Sequence, residues 1–173
     1  MIVGRCQTVE DFQTGSETLR QRRYGVIECS AGRLVAVRLR LWPKWIAWPE
    51  VWPTHGRYHL RGQPDRCLLY YNQPWRYPNF VALKYVVSSH GTSYATIHAA
   101  LKTLDEVARL KQTDALLCDA ANSRISDRLM CRFGWEPHKP QRWHRNYIKR
   151  FYGHYPDTVA AQCEQVPVRR AHC

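Results

Sequence analysis

The sequence predicts one α/β domain, a mixed and mostly antiparallel sheet with a βαβα core. Three observations carry this. Phe80–Val87 is an apolar, β-branched run of strand length. Tyr94, Ile97, Leu101, Leu104, Val107, Ala108 and Leu110 then recur at helical spacing as far as about Lys111. Ala115–Asp119 is a second short apolar strand. Two strands separated by a helix form a βαβ unit, whose strands are neighbours and usually parallel.

Upstream, Met1 to Arg23 reads as a peripheral segment, with a short helix across Val9 to Arg23 and the basic run Arg20–Arg23. The main domain is expected over 24–152. Tyr24–Cys29 is a strand, Ser30-Ala31-Gly32 a turn, and Arg33–Leu41 the return strand of a hairpin. In the return strand Leu34, Ala36 and Arg38 face one way; Val35, Val37, Leu39 and Leu41 form an apolar side. Four of the seven tryptophans (Trp42, Trp45, Trp48 and Trp52) lie among three prolines in 42–53, a loop or short helical turn. Packing of the indoles and an aromatic surface for bases or an apolar ligand are both open there. Arg57–Arg61 and Cys67–Tyr71 are two further short strands, and Asn72–Asn79 is a loop held by Pro74 and Pro78.

Downstream of Ala115–Asp119, Asn122 or Ser123 caps a second helix with the stripe Ile125, Leu129, Met130 and Phe133. Gly134 ends it, since glycine adopts positive φ without a Cβ clash. After Trp135, the stretch Arg142–Tyr152 alternates, with Trp143, Arg145, Tyr147, Lys149 and Phe151 sharing one face of a strand. Residues 153–173 form a basic, loosely held tail.

The chain has 173 residues, enough for one real core, and an apolar fraction of 45%, ordinary for a globular protein. No apolar run reaches the length of a membrane span, so no membrane association and a cytoplasmic location are expected. Seven cysteines, odd in number and without CxxC spacing, read as reduced thiols, with Cys118 and Cys131 on apolar faces. No metal is expected: His55 and His59 flank Gly56 and have no cysteine pair nearby. Lys+Arg 26 against Asp+Glu 14 gives a net charge of +12. That charge attracts polyanions, whether nucleic acid, phosphates, acidic proteins or a nucleotide-bearing cofactor, without choosing among them.

The turn Ser88–Ser93 precedes the long helix, with Thr92 or Ser93 as its cap. A helix N-terminus presents unpaired N–H groups and partial positive charge, so the amides of His90 to Ala95 are expected to form a cradle for a doubly charged anion. The hydroxyls of Thr92 and Ser93 have two roles open to them, phosphate contact and capping.

From Asn79 to Phe151 this arrangement resembles the GNAT (Gcn5-related N-acetyltransferase) superfamily. There a central strand ends in a splayed notch, followed by a pyrophosphate-binding turn, a long helix, a strand, a helix and a Gly-aromatic step into a final hairpin. The counterparts are Phe80–Val87, Ser89–Ala95, Tyr94–Lys111, Ala115–Asp119, Asn122–Phe133 and Gly134-Trp135. The family's turn reads [Gln/Arg]-x-x-Gly-x-[Gly/Ala]. Here it reads His90-Gly91-Thr92-Ser93-Tyr94-Ala95, so Ala95 fits, His90 replaces Gln/Arg, and Ser93 stands at the middle glycine. The resemblance implies acetyl-CoA or another acyl-CoA as cosubstrate and an amine as acceptor. Val86, Val87, Ser89, Gly91, Thr92, Ser93, Tyr94 and Ala95 would hold the cofactor, and Asn122 would contact its pantetheine arm or serve as an ordinary cap.

In that chemistry the amine attacks the thioester directly, which needs an oxyanion donor, a proton path and an acid for the thiolate. A strand N–H near Val86 or Val87 would supply the first. His90 is the candidate base, histidine being the side chain that titrates near neutral pH. The family's tyrosine acid falls on Met130, which carries no proton, so Tyr94, Tyr85 or a water would take that role.

A second reading is a non-catalytic, basic nucleic-acid-binding or accessory protein on the same fold. Arg142, Arg145, Lys149 and Arg150 interleave with Trp143, Tyr147 and Phe151, a pattern that neutralises phosphates and stacks bases. The same pattern also suits a solvated edge strand that resists aggregation.

Overall fold

In the computed structural model, residues 7–42, 64–120, 126–139 and 145–156 are described. The predicted strands at 57–61, the Trp-rich stretch 43–53, Asn122, Ser123, Ile125, Arg142, Trp143 and the tail from 157 lie outside them. The described residues form an α/β fold with one mixed, open, eight-stranded sheet and three helices.

In chain order the elements are β1 (Gln7–Val9), α1 (Phe12–Gln21), β2 (Tyr24–Ser30), β3 (Arg33–Arg40), β4 (Arg66–Asn72), β5 (Phe80–Ser88), α2 (Tyr94–Leu110), β6 (Ala115–Asp119), α3 (Asp127–Arg132), β7 (Glu136–Pro137) and β8 (Asn146–Arg150). Across the sheet the order is β1-β3-β2-β4-β5-β6-β8-β7. Only β5 and β6 run parallel, joined by the α2 crossover, as the βαβ pattern requires.

The segment expected at the periphery contributes an edge strand and a helix. β1 pairs with β3, Asp11 caps α1 by accepting from Gln13 N–H at 3.0 Å, and Leu19 is fully buried. Gly15 is required here, because a Cβ would lie 2.2 Å from Val9 Cγ1.

β3 departs from simple alternation. The β2–β3 register shifts between Glu28 and Cys29, so Cys29 faces Leu34, Glu28 faces Ala36, and Val35 is the extra residue. The bulge leaves Val35 exposed and puts Leu34, Val37 and Leu39 against the core together. The predicted apolar side therefore holds only for Val37 and Leu39, and Leu41 is exposed.

α2 packs on β2, β3 and β4 and against α1. Its buried residues, Ala100, Leu104, Val107 and Ala108 among them, meet Ile27, Cys29, Val37, Leu69, Tyr71 and Val81. Tyr147 and Lys149, two apart on β8, reach α3 and α2 respectively, so both helices lie on the same face of the sheet. α3 is capped by Ser126, which accepts from Leu129 N–H at 3.2 Å. It ends at Gly134 with φ +78. Trp135 N–H donates to Met130 O and Gly134 N–H to Cys131 O, the paired bonds that close a helix through a left-handed residue. Trp135 is buried. Cys131 is exposed, not on an apolar face as expected. Cys29 and Cys67 are buried cross-strand neighbours whose thiols burial pushes up to about 11 and 12, so both stay protonated. No helix among the described residues is long and apolar enough to cross a membrane.

Candidate functional site

The site begins with an irregularity in β5. Between Leu83, opposite Tyr71, and Tyr85, opposite Tyr70, Lys84 is an extra residue. Such a bulge bends its strand and increases the local twist. Before it, Phe80–Leu83 pair with Ala115–Cys118 of β6. After it, Tyr85–Ser88 pair only with β4. No described strand covers the β6 side of 84–88. The β5–β6 pairing thus ends at Leu83 and Cys118, leaving a notch whose β5 edge has no strand partner among the described residues. Val86 is half-exposed there, and Cys118, Asp119 and Ala120 form the β6 lip.

At the end of that edge, the turn into α2 is tightly built. Ser89 Oγ accepts from Arg66 N–H at 2.9 Å. Thr92 Oγ1 donates to Arg66 O at 3.0 Å and to Ser89 O at 2.8 Å. Gly91 adopts φ +79, and nothing lies within 4 Å of where its Cβ would be, so its requirement is conformational. Ser93 is the N-cap: its Oγ accepts from Thr96 N–H at 3.2 Å. The hydroxyls of Ser89, Thr92 and Ser93 are thereby engaged in holding the turn. Capping is the role the geometry assigns to Ser93.

The helix terminus already faces an anion. Asp65 Oδ1 accepts from Ser93 N–H at 2.6 Å, and Oδ2 accepts from Ser93 Oγ–H at 3.0 Å. The Ser93 N–H, then Thr96, hold this carboxyl below the usual carboxylate range. Asp65 has φ 57, a left-handed conformation that aspartate tolerates, just before β4. The cradle expected from the sequence is therefore partly filled by the protein's own carboxylate. In the first turn of α2, the amides of Tyr94 and Ala95 have no acceptor among the described residues.

The two candidate catalytic residues flank this turn. His90 is exposed at its crest. The Tyr94 ring stacks on His98, with centroids 5.9 Å apart, and on Phe133, 5.5 Å apart, tying α2 to the end of α3. Met130, where the resemblance would place a tyrosine acid, is buried in the core. A phenol missed by the sequence reading lies nearer the β6 lip. Tyr147 sits opposite Cys118 and donates its hydroxyl proton to Asp127 Oδ1. Burial, then that carboxylate, raise its pKa. Alternation along Arg142–Tyr152 placed Tyr147 on a face; nothing local pointed to Asp127, 20 residues away.

Of the basic residues of the second reading, Arg145, Lys149 and Arg150 have acidic partners, and Arg142 lies outside the described residues. Lys149 Nζ donates to Asp105 Oδ2 at 2.7 Å, with side chains only 15% and 11% exposed. Arg150 pairs with Glu136, and Arg145 lies 3.7 Å from Asp127. These last two pairs are exposed and therefore weak. Beside them a cavity of about 170 Å³ is lined by His98, Lys102, Asp105, Arg132, Phe133 and Lys149 among others. Among the described residues no group of three His, Cys, Asp or Glu is placed to hold a metal.

Comparison with protein-family models, with curated proteins and with solved structures finds no match to this chain.

Proposed function

We propose that the protein has a GNAT-like fold and is an acyl-CoA-dependent N-acyltransferase, with acetyl-CoA as donor and an amine as acceptor. The observation that carries this reading is the end of the β5–β6 pairing at the Lys84 bulge, beside the N-terminus of α2. An extended amide-bearing arm docks by adding its own hydrogen bonds to an uncovered strand edge. Residues 84–88 offer such an edge next to a helix terminus suited to a diphosphate. Val86 and Val87 would bind the arm and orient the thioester carbonyl. The Tyr94 and Ala95 amides, with Gly91 leaving room, would take the diphosphate. His90 is the candidate base. Tyr94 is the candidate proton source for the departing thiolate. Asp65 is a like charge beside the diphosphate and opposes its binding.

Titration calorimetry with acetyl-CoA tests this. Saturable binding is expected, lost in Ala95→Phe, whose ring would fill the approach to the amides. A normally folded Ala95→Phe that binds acetyl-CoA like the parent would overturn it.

A further inference from the structure

We infer that the protein carries a separate binding surface for single-stranded nucleic acid at the end of the sheet remote from the notch, formed by Arg20, Arg22, Arg23, Trp75, Arg76 and Tyr77. The surface is independent of the transferase reading. It joins two segments about fifty residues apart, and several contacts hold them together. Gln73 N–H donates to Arg23 O at 2.8 Å. The Arg23 guanidinium lies 4.1 Å from the centre of the Trp75 ring and donates to Pro74 O at 3.4 Å. Trp75 Nε1–H donates to Tyr24 Oη at 3.1 Å. Lys111, at the end of α2, donates to the carbonyls of Arg20 and Arg22 at 3.3 and 2.6 Å and to Gln73 Oε1 at 3.1 Å. The loop 73–79 is therefore pinned before any ligand arrives, which lowers the ordering cost of binding.

The large rings on this pinned loop are nevertheless left in solvent. Trp75 is 73% and Tyr77 63% exposed. Arg23 covers one face of the indole and leaves the other for a flat partner. None of Arg20, Arg22, Arg23 or Arg76 has an acidic partner among the described residues. Unneutralised guanidinium groups around free aromatic faces match a chain of alternating phosphates and bases. An acidic protein would satisfy the charges and leave the rings without partners. A duplex keeps its bases stacked inside, where Trp75 and Tyr77 do not reach. The recognised chemistry is common to RNA and DNA single strands.

Fluorescence anisotropy with labelled oligo-uridine, oligo-deoxythymidine and a duplex of equal length tests the inference, using the full chain. Either single strand is expected to bind more tightly than the duplex, and preference between the two strands identifies the natural class. Trp75→Ala should weaken binding about tenfold, within the range for losing one stacked base. Arg76→Glu, at an exposed side chain, should weaken it and reduce the slope of log K against log salt by about 0.7 per lost phosphate contact. Tyr77→Ala supplies a second stacking variant should Trp75→Ala unsettle the loop. Absence of saturable binding at low salt, equal affinity for duplex, or binding of poly-glutamate as tight as that of the oligonucleotides would overturn the inference. So would oligonucleotide binding insensitive to both Arg76→Glu and Tyr77→Ala.

Discussion

Asp65 decides how the start of α2 behaves. Its carboxylate accepts two bonds from Ser93 and stands where an incoming diphosphate would approach. Asp65→Asn keeps an acceptor for the Ser93 N–H but removes the charge. On the transferase reading, calorimetry should show tighter acetyl-CoA binding in this variant. The same substitution has a pH signature. The folded pKa of Asp65 is lowered, so its contribution to stability is complete above the ordinary carboxylate value of about 3.9 and is lost as pH falls through the folded value. Asp65→Asn should therefore flatten the acid limb of the stability profile, read by thermal unfolding between pH 2 and 5 (roughly the carboxylate range). A second residue tests the core. Tyr71 is buried with no partner for its hydroxyl among the described residues, and burying an unsatisfied hydroxyl costs about 1–3 kcal/mol. Tyr71→Phe should be neutral or stabilising by about 1 kcal/mol in urea unfolding.

Among the elements, those with strong periodicity were legible and those defined by an irregularity were not. Phe80–Ser88, Tyr94–Leu110 and Ala115–Asp119 follow from apolar runs and spacing. Ser93 and Gly134 act as the cap and the stop that their chemistry implies. The bulges at Val35 and Lys84 depend on which strand lies alongside, and local sequence carries no such information. The Asp65–Ser93 contact spans 28 residues and escaped for the same reason. The ion pairs of Lys149 and Arg150 were hidden likewise, so a basic strand looked free when its charges were taken. On the transferase reading, the Lys84 bulge is also a handle on function. Deleting Lys84 lets Leu83 and Tyr85 pair regularly with Tyr71 and Tyr70. We predict a folded protein whose acetyl-CoA affinity falls at least tenfold, about 1.4 kcal/mol, by calorimetry. Gly134→Ala should cost about 1 kcal/mol in urea unfolding, because φ is +78 and its Cβ would lie 3.3 Å from Lys149 Cε.

For the whole molecule the net charge is +12, and among the described residues the cations are unequally paired. Near the final hairpin, cations are matched by Asp105, Asp127 and Glu136. At the remote end of the sheet the arginines beside Trp75 have no acidic partner among the described residues, while the notch lies along the later half of β5. A polyanion and a thioester cofactor would then occupy different places, and each should bind without displacing the other. The claim on which the functional account rests is that the notch and the start of α2 accept an acyl-CoA. Thermal unfolding with increasing acetyl-CoA tests it most directly. A hundredfold excess over Kd stabilises by about 2.7 kcal/mol, so Tm should rise saturably by about 5–10 °C for a chain of this size. No shift at millimolar acetyl-CoA, or an equal shift in the folded Ala95→Phe variant, would contradict the account.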